Sequence, residues 1–342
     1  MGLKGEETLI HKKTVFILGA GASYPYGFPL GAQLRQDIMK VPVSYLHDVK
    51  FLGKPRPLDV EPSTREFFQA FIESKAQSID AFLANRMEYA EIGRVAIAKV
   101  LLGYEVVHRL FDDSNEDDWY AAVFNAIRCP AEQLVNNQVS FVTFNYDRSL
   151  ELALWSFLRH TYKLSEDEAW SAMEQFPIVH AYGCLGSLNP KSPLFVPYGL
   201  GGLNESGIQS ADDQQRQRLV AKAAAQIRVI PEHRSDLHSE GFDRAKKIIT
   251  EAERLVCLGF AFDDLNVSRL SPNLQGTMNV LADALDGDAP RFAGTVYGLK
   301  DAEIRRVAKL ITPASKRLST LQGLHAMKST EMLRHTGIHI CD

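Results

Sequence analysis

Four segments place residue types capable of chemistry directly behind apolar runs. Asn145 and Asp147 lie in Phe144-Asn145-Tyr146-Asp147, and His180 opens His180-Ala181-Tyr182-Gly183-Cys184-Leu185-Gly186. Gly19-Ala20-Gly21-Ala22-Ser23 follows Val15–Leu18, and Leu258-Gly259-Phe260-Ala261-Phe262-Asp263-Asp264 closes a fourth run. An imidazole titrates near neutral pH and suits proton transfer or an electrostatic role. Glycine at 19 permits a tight turn, and glycine at 21 removes the Cβ that would block a pyrophosphate. Backbone N–H groups at the start of a following helix attract an anion, and Ser23 adds a hydroxyl donor. Each segment taken singly has a plainer explanation. The glycines suit a strand-to-helix turn, Asn145 or Asp147 a helix N-cap, His180 a buried hydrogen-bonded side chain, and Gly259 with its aspartates another turn and cap.

The elements that must carry these residues alternate between strand and helix. Val15–Leu18, Val139–Phe144, Ile178–His180, Leu255–Leu258 and Ala293–Tyr297 read as strands, with Ile338–Cys341 as a short terminal one. Leu30–Met39, Asp147–His160, Glu166–Glu174, Ala211–Val229, Phe242–Arg254 and Ala302–Ile311 read as helices. Residues 41–62 and 183–207, rich in Pro, Gly, Asn and Ser, read as irregular connections. From Ser63 to Ile127 the period is helical, with Phe67, Phe68, Phe71, Ile72, Ile79, Phe82 and Leu83 on the apolar side and Ile92–Phe111 continuing it. A helical subdomain inserted over about 60–130 follows from that pattern. Strands alternating with helices predict an α/β fold, a parallel sheet covered by helices on both faces. In such a sheet the carboxyl ends of the strands open onto the ligand crevice, and all four segments end strands.

Bulk properties narrow the partners. The chain has 342 residues, a net charge of −4, 45% hydrophobic and 23% charged residues. That length exceeds the roughly 100–200 residues of one ordinary domain, so one large domain with an insert or two packed domains both fit. The charge gives no drive toward nucleic acid or an anionic membrane. Cys129, Cys184, Cys257 and Cys341 are scattered without a C-x-x-C pair, which argues against a structural zinc site and fits reduced thiols. Residues 1–13 lack the apolar core of a secretory signal, and no run reaches the roughly 18 apolar residues of a membrane span. A cytoplasmic protein is expected, with no metal.

Taken together and in order, Gly-Ala-Gly-Ala-Ser at 19–23, Thr-Phe-Asn-Tyr-Asp at 143–147, the 180–186 segment and the 258–264 segment resemble the sirtuin-like domain of bacterial anti-phage NAD hydrolases. Residues 78–89 also resemble the helical insert of one branch of that family. The resemblance spans about residues 12–312, leaving 313–342 as a C-terminal helix and short strand. It implies a sirtuin-type Rossmann-like sheet with NAD+ bound in the cleft as substrate. Carried over by motif, Gly19, Ala20, Gly21 and Ser23 hold the pyrophosphate and adjoining ribose, and Gly259 and Phe260 lie against the adenosine half. Asn145 becomes the catalytic asparagine that orients water or the nicotinamide ribose. Asp147 contacts the nicotinamide amide, and His180 is the catalytic histidine at the ribose. Two departures matter: the zinc ribbon of protein-deacylating sirtuins is absent, and Ala181-Tyr182 intervene where those enzymes carry glycine after the histidine.

The expected activity is hydrolysis of NAD+ to nicotinamide and ADP-ribose, as the toxic effector of an abortive-infection system. In that scheme a neutral His180 accepts a proton from a hydroxyl or from water, help worth roughly 10²–10⁴ in rate. The resemblance further implies a homo-oligomer controlled by a HerA-type ATPase or an Argonaute-like partner. The rivals are a nucleotide sensor that binds without cleaving, and a deacylase or ADP-ribosyltransferase. A dehydrogenase fits worst, because Tyr24 stands at the third glycine position and no acidic residue follows about 20 positions later.

Overall fold

The computed structural model describes residues 9–50, 52, 62–199, 213–229 and 240–339. Eight strands are present among them: β1 (Thr14–Leu18), β2 (Val139–Thr143), β3 (Ile178–His180), β4 (Arg254–Leu258), β5 (Leu285–Asp286), β6 (Ala289–Pro290), β7 (Phe292–Thr295) and β8 (Leu324–His325). Six of them form one sheet in the order β3-β2-β1-β4-β7-β8, every pair parallel. The short β5 and β6 pair antiparallel in a separate hairpin. Helices flank the sheet on both faces, so the fold is α/β and Rossmann-like. β1 and β4 are buried along their whole length, as their near-continuous apolar sequences require of central strands covered on both sides.

Register brings the strand ends level. Leu18, the last residue of β1, pairs with Thr143 of β2 and with Leu258 of β4, and Thr143 pairs with His180 of β3. Four strands therefore stop together, and the chain order reverses between β1 and β4. That reversal is the switch point at which open α/β sheets bind ligands.

Between β1 and β2 lies the helical insert. Its main helices are Pro62–Glu73, Ile79–Asn85, Ala90–Tyr104 and Trp119–Ala126. Phe67, Phe71, Phe82 and Tyr89 form its aromatic core with ring centroids 5.0–6.0 Å apart. Ser78 and Asp118 cap two of these helices by accepting the Ala81 and Ala121 N–H groups. Helix Asp213–Ala224 packs on Ala90–Tyr104 and extends the helical layer.

Two sequence expectations need correction. The stretch 41–62 contains a helix, Val43–Lys50, whose Leu46 and Val49 are buried; residues 53–61 lie outside the described ones. The expected terminal strand at 338–341 is not where the sheet ends: Ile338 and His339 form a turn, and 340–342 lie outside the described residues. β8 at Leu324–His325 edges the sheet instead, followed by helix Ser329–Thr336. Two residues carry too little periodicity to announce a strand; pairing to β7 makes them one.

Candidate active site

The two glycine turns at the switch point touch backbone to backbone. Gly19 N–H donates to Leu258 O at 3.1 Å, and Gly21 N–H donates to Gly259 O at 3.1 Å. A Cβ on Gly19 would stand 2.6 Å from Gly259 O, and one on Gly21 2.7 Å from Gly259 Cα. Gly259 itself has φ +55°, and its Cβ would fall 2.1 Å from Ala22 N. Turn-on-turn packing thus accounts for all three glycines before any ligand is considered. Ala20 is half-buried at the rim of the first turn, and Ser23 is buried behind it.

Asn145 reaches this turn from the end of β2. Its Nδ2 donates to Gly19 O and to Ser23 Oγ, both at 2.8 Å. The backbone is held too, since Asn145 N–H donates to Thr143 Oγ1 at 3.0 Å. The Ser23 hydroxyl reaches the Asp147 carboxylate in turn. Asp147 also accepts from Ser149 N–H at 3.1 Å and from Ser149 Oγ, which places it at the start of helix Ser149–Tyr162. Burial raises the Asp147 pKa, and the Ser149 and Ser23 hydroxyls restrain the rise.

His180 stands beside Asn145, but not as a neutral imidazole. Its Nδ1 lies 2.8 Å from Asn145 O, an atom that only accepts, so Nδ1 carries a proton. Its Nε2 lies 2.6 Å from Glu151 Oε1 on helix Ser149–Tyr162. Burial alone would lower the His180 pKa. The Glu151 carboxylate outweighs it, Cys184 acts in the same direction, and the pKa is pushed up to about 10. Both ring nitrogens are donors at neutral pH. The expectation of a proton-accepting His180 is corrected for this arrangement, because a charge partner overrides the ordinary titration.

The Phe260 ring is buried against Phe144 at 4.9 Å and Phe262 at 5.1 Å, while its Cα borders the first glycine turn, 2.8 Å from where a Cβ on Gly19 would stand. Asp263 caps helix Asp264–Leu270 by accepting the Leu265 and Asn266 N–H groups.

Several residues at this sheet edge escaped sequence reasoning. Arg148, fully buried, forms a bidentate pair with Glu105 of the insert at 2.9 and 2.5 Å. It also donates to Val196 O at 2.5 Å and Pro197 O at 3.0 Å, while Gly199 N–H donates to Glu105 at 2.8 Å. Burial raises the Glu105 pKa, and the guanidinium fork and the Gly199 amide oppose that rise. Tyr146 Oη donates to Asp80 of the insert, and Arg269 donates to Tyr182 Oη. The one available signal was isolation: Glu105 in Gly-Tyr-Glu-Val-Val, Arg148 ahead of an apolar helix, and Glu151 between Leu150 and Leu152.

No protein-family model matches the chain, and no curated protein matches it in sequence. Among the described residues, no group of three or more His, Cys, Asp or Glu side chains is placed to hold a metal ion. Nor is any helix among them long and apolar enough to cross a membrane. A surface cavity of about 450 Å³ opens beside Tyr24, Phe28 and Arg109, and neither Asn145 nor His180 lines it. The chemistry-bearing side chains gather at the switch point.

Proposed function

We propose that the protein is an NAD+ glycohydrolase, releasing nicotinamide and ADP-ribose. The observation that carries this reading is the Asn145 carboxamide, held 2.8 Å from both Gly19 O and Ser23 Oγ where the sheet order reverses. The motif resemblance supplies the substrate, and the geometry supplies a reason for it. With both Nδ2 protons committed, what Asn145 offers a ligand is its Oδ1 acceptor, suited to a water or a ribose hydroxyl.

The chemistry asks little of an acid. The C1′–nitrogen bond of the nicotinamide ribose breaks, and the ring leaves neutral with the bonding electrons. Water adds its oxygen to C1′ and one proton is released. The transition state resembles an oxocarbenium ion, so positioning and electrostatics dominate. Gly19, Ala20, Gly21 and Ser23 form the pyrophosphate side in this reading, and Gly259 the adenosine side. Because Gly21 N–H is committed to Gly259 O, the turn must loosen or present other amides to an anion.

The test is product analysis of NAD+ incubated with the protein. Free nicotinamide is expected from the wild type, and none from folded Asn145→Ala. Normal cleavage by that variant overturns the assignment. Internal pairing of both His180 ring nitrogens and of the Asp147 carboxylate favours a second reading, a sensor that holds the nucleotide without cleaving it; NAD+ bound but unconsumed selects it. A toxic role in anti-phage defence, homo-oligomerisation and control by a HerA-type ATPase or Argonaute-like partner are supported by the resemblance. Co-purification with neighbouring gene products tests that control.

A further inference from the structure

Glu151 lies outside every motif that carries the resemblance, yet it makes the 2.6 Å contact that decides the state of His180. Three strand ends and one helix meet in a continuous chain of bonds: Glu151 to His180 Nε2, His180 Nδ1 to Asn145 O, and Asn145 Nδ2 to Gly19 O and Ser23 Oγ. The ring has no nitrogen left for a ligand in this arrangement. Its Nδ1–H instead holds the carbonyl of the very residue whose carboxamide faces the glycine turn, while Thr143 holds that residue's N–H. We propose that Glu151 and His180 form an ionic strut that fixes the Asn145 peptide, so that His180 is a positioning residue acting through Asn145 and not a base on the substrate. This deepens the hydrolase reading and rests on it for Asn145's place at the reacting carbon; the strut itself is a statement about bonds that exist without substrate.

The surroundings fit that role. Glu151 and Cys184 are the titratable groups that face His180, and Asp147, Arg148 and Tyr120 face Glu151. The imidazolium side chain is 10% exposed and Glu151 18%, which shields the pair from water and salt. Both partners sit on rigid elements, His180 closing β3 and Glu151 in the first turn of helix Ser149–Tyr162. A strut anchored on a strand and a helix holds an angle that a loop could not.

Two measurements on the full chain decide the matter. In ¹⁵N-histidine NMR, His180 of the wild type should show both ring nitrogens protonated at pH 7.5, and Glu151→Gln should return its titration toward the ordinary ~6.5. The Asn145 side-chain amide resonances should shift in the same variant. In NAD+ cleavage, the wild-type rate should be flat from pH 6 to 8 and fall only toward the upper limit of His180 protonation. Glu151→Gln should lose about 10²-fold in kcat with KM little changed, as expected of a misplaced reacting group, and Glu151→Asp should recover part of it. A His180 that titrates near 6.5 with a matching acid limb, or a Glu151→Gln enzyme with unaltered kcat and Asn145 resonances, overturns the strut. If the wild type cleaves no NAD+, the hydrolase reading fails, and the resonances alone still support or refute the strut.

Discussion

Two charge pairs stand almost next to one another at the carboxyl edge of the sheet, and they differ in what surrounds them. Arg148–Glu105 is sealed, with side chains 1% and 0% exposed, and every contact it makes ties the helical insert and residues 196–199 to the end of β2. His180–Glu151 retains a little solvent contact and ends on the backbone of Asn145. The first pair couples distant segments of the fold; the second orients one residue. Burial sets the division. A fully desolvated pair costs so much to break that it locks whatever it joins, whereas a pair near the rim leaves its far end free to serve a ligand.

Breaking the sealed pair should have the largest effect. Arg148→Ala or Glu105→Ala leaves an uncompensated buried charge and should lower stability by about 3–5 kcal/mol, read as a shifted urea midpoint. A loss equal to that of Glu151→Gln would abolish the distinction between the pairs. Gly259→Ala comes next. Its left-handed backbone alone makes alanine cost about 1–3 kcal/mol, and the added methyl overlaps Ala22 N, so the two turns must separate. Unaltered unfolding of that variant would show that the turns pack otherwise.

A third effect is a slope against pH. His180 has a folded pKa raised to about 10 from 6.5, so the pair's contribution is fully present below about 6.5. It declines as pH rises from there, because the unfolded chain no longer holds the proton, and it is lost above about 10. Urea unfolding at pH 6, 8 and 9.5 should show this decline in the wild type. The slope should flatten in Glu151→Gln, and an equal slope in both would remove Glu151 as its cause.

Helix and strand periodicity made the alternating architecture legible, and the four glycine- or polar-tipped strand ends pointed to one crevice. The apolar run before each tip marks a buried parallel strand, and such strands announce themselves locally. β8 and the β5–β6 hairpin were illegible because two paired residues have no period to read. Phe260 shows what motif position leaves open: packing against Phe144 and Phe262 puts its ring in the core, a placement that no spacing along the chain announces.

What the linear order determined by itself is which residues stand at strand ends, since turn chemistry and apolar periodicity are properties of neighbours along the chain. Which of those residues are charged, donating or withdrawn was decided only by folding. Glu105 and Arg148 are 43 residues apart, and Glu151 and His180 are 29 apart. Protonation depends on distance and dielectric in space, and neither is written in sequence separation.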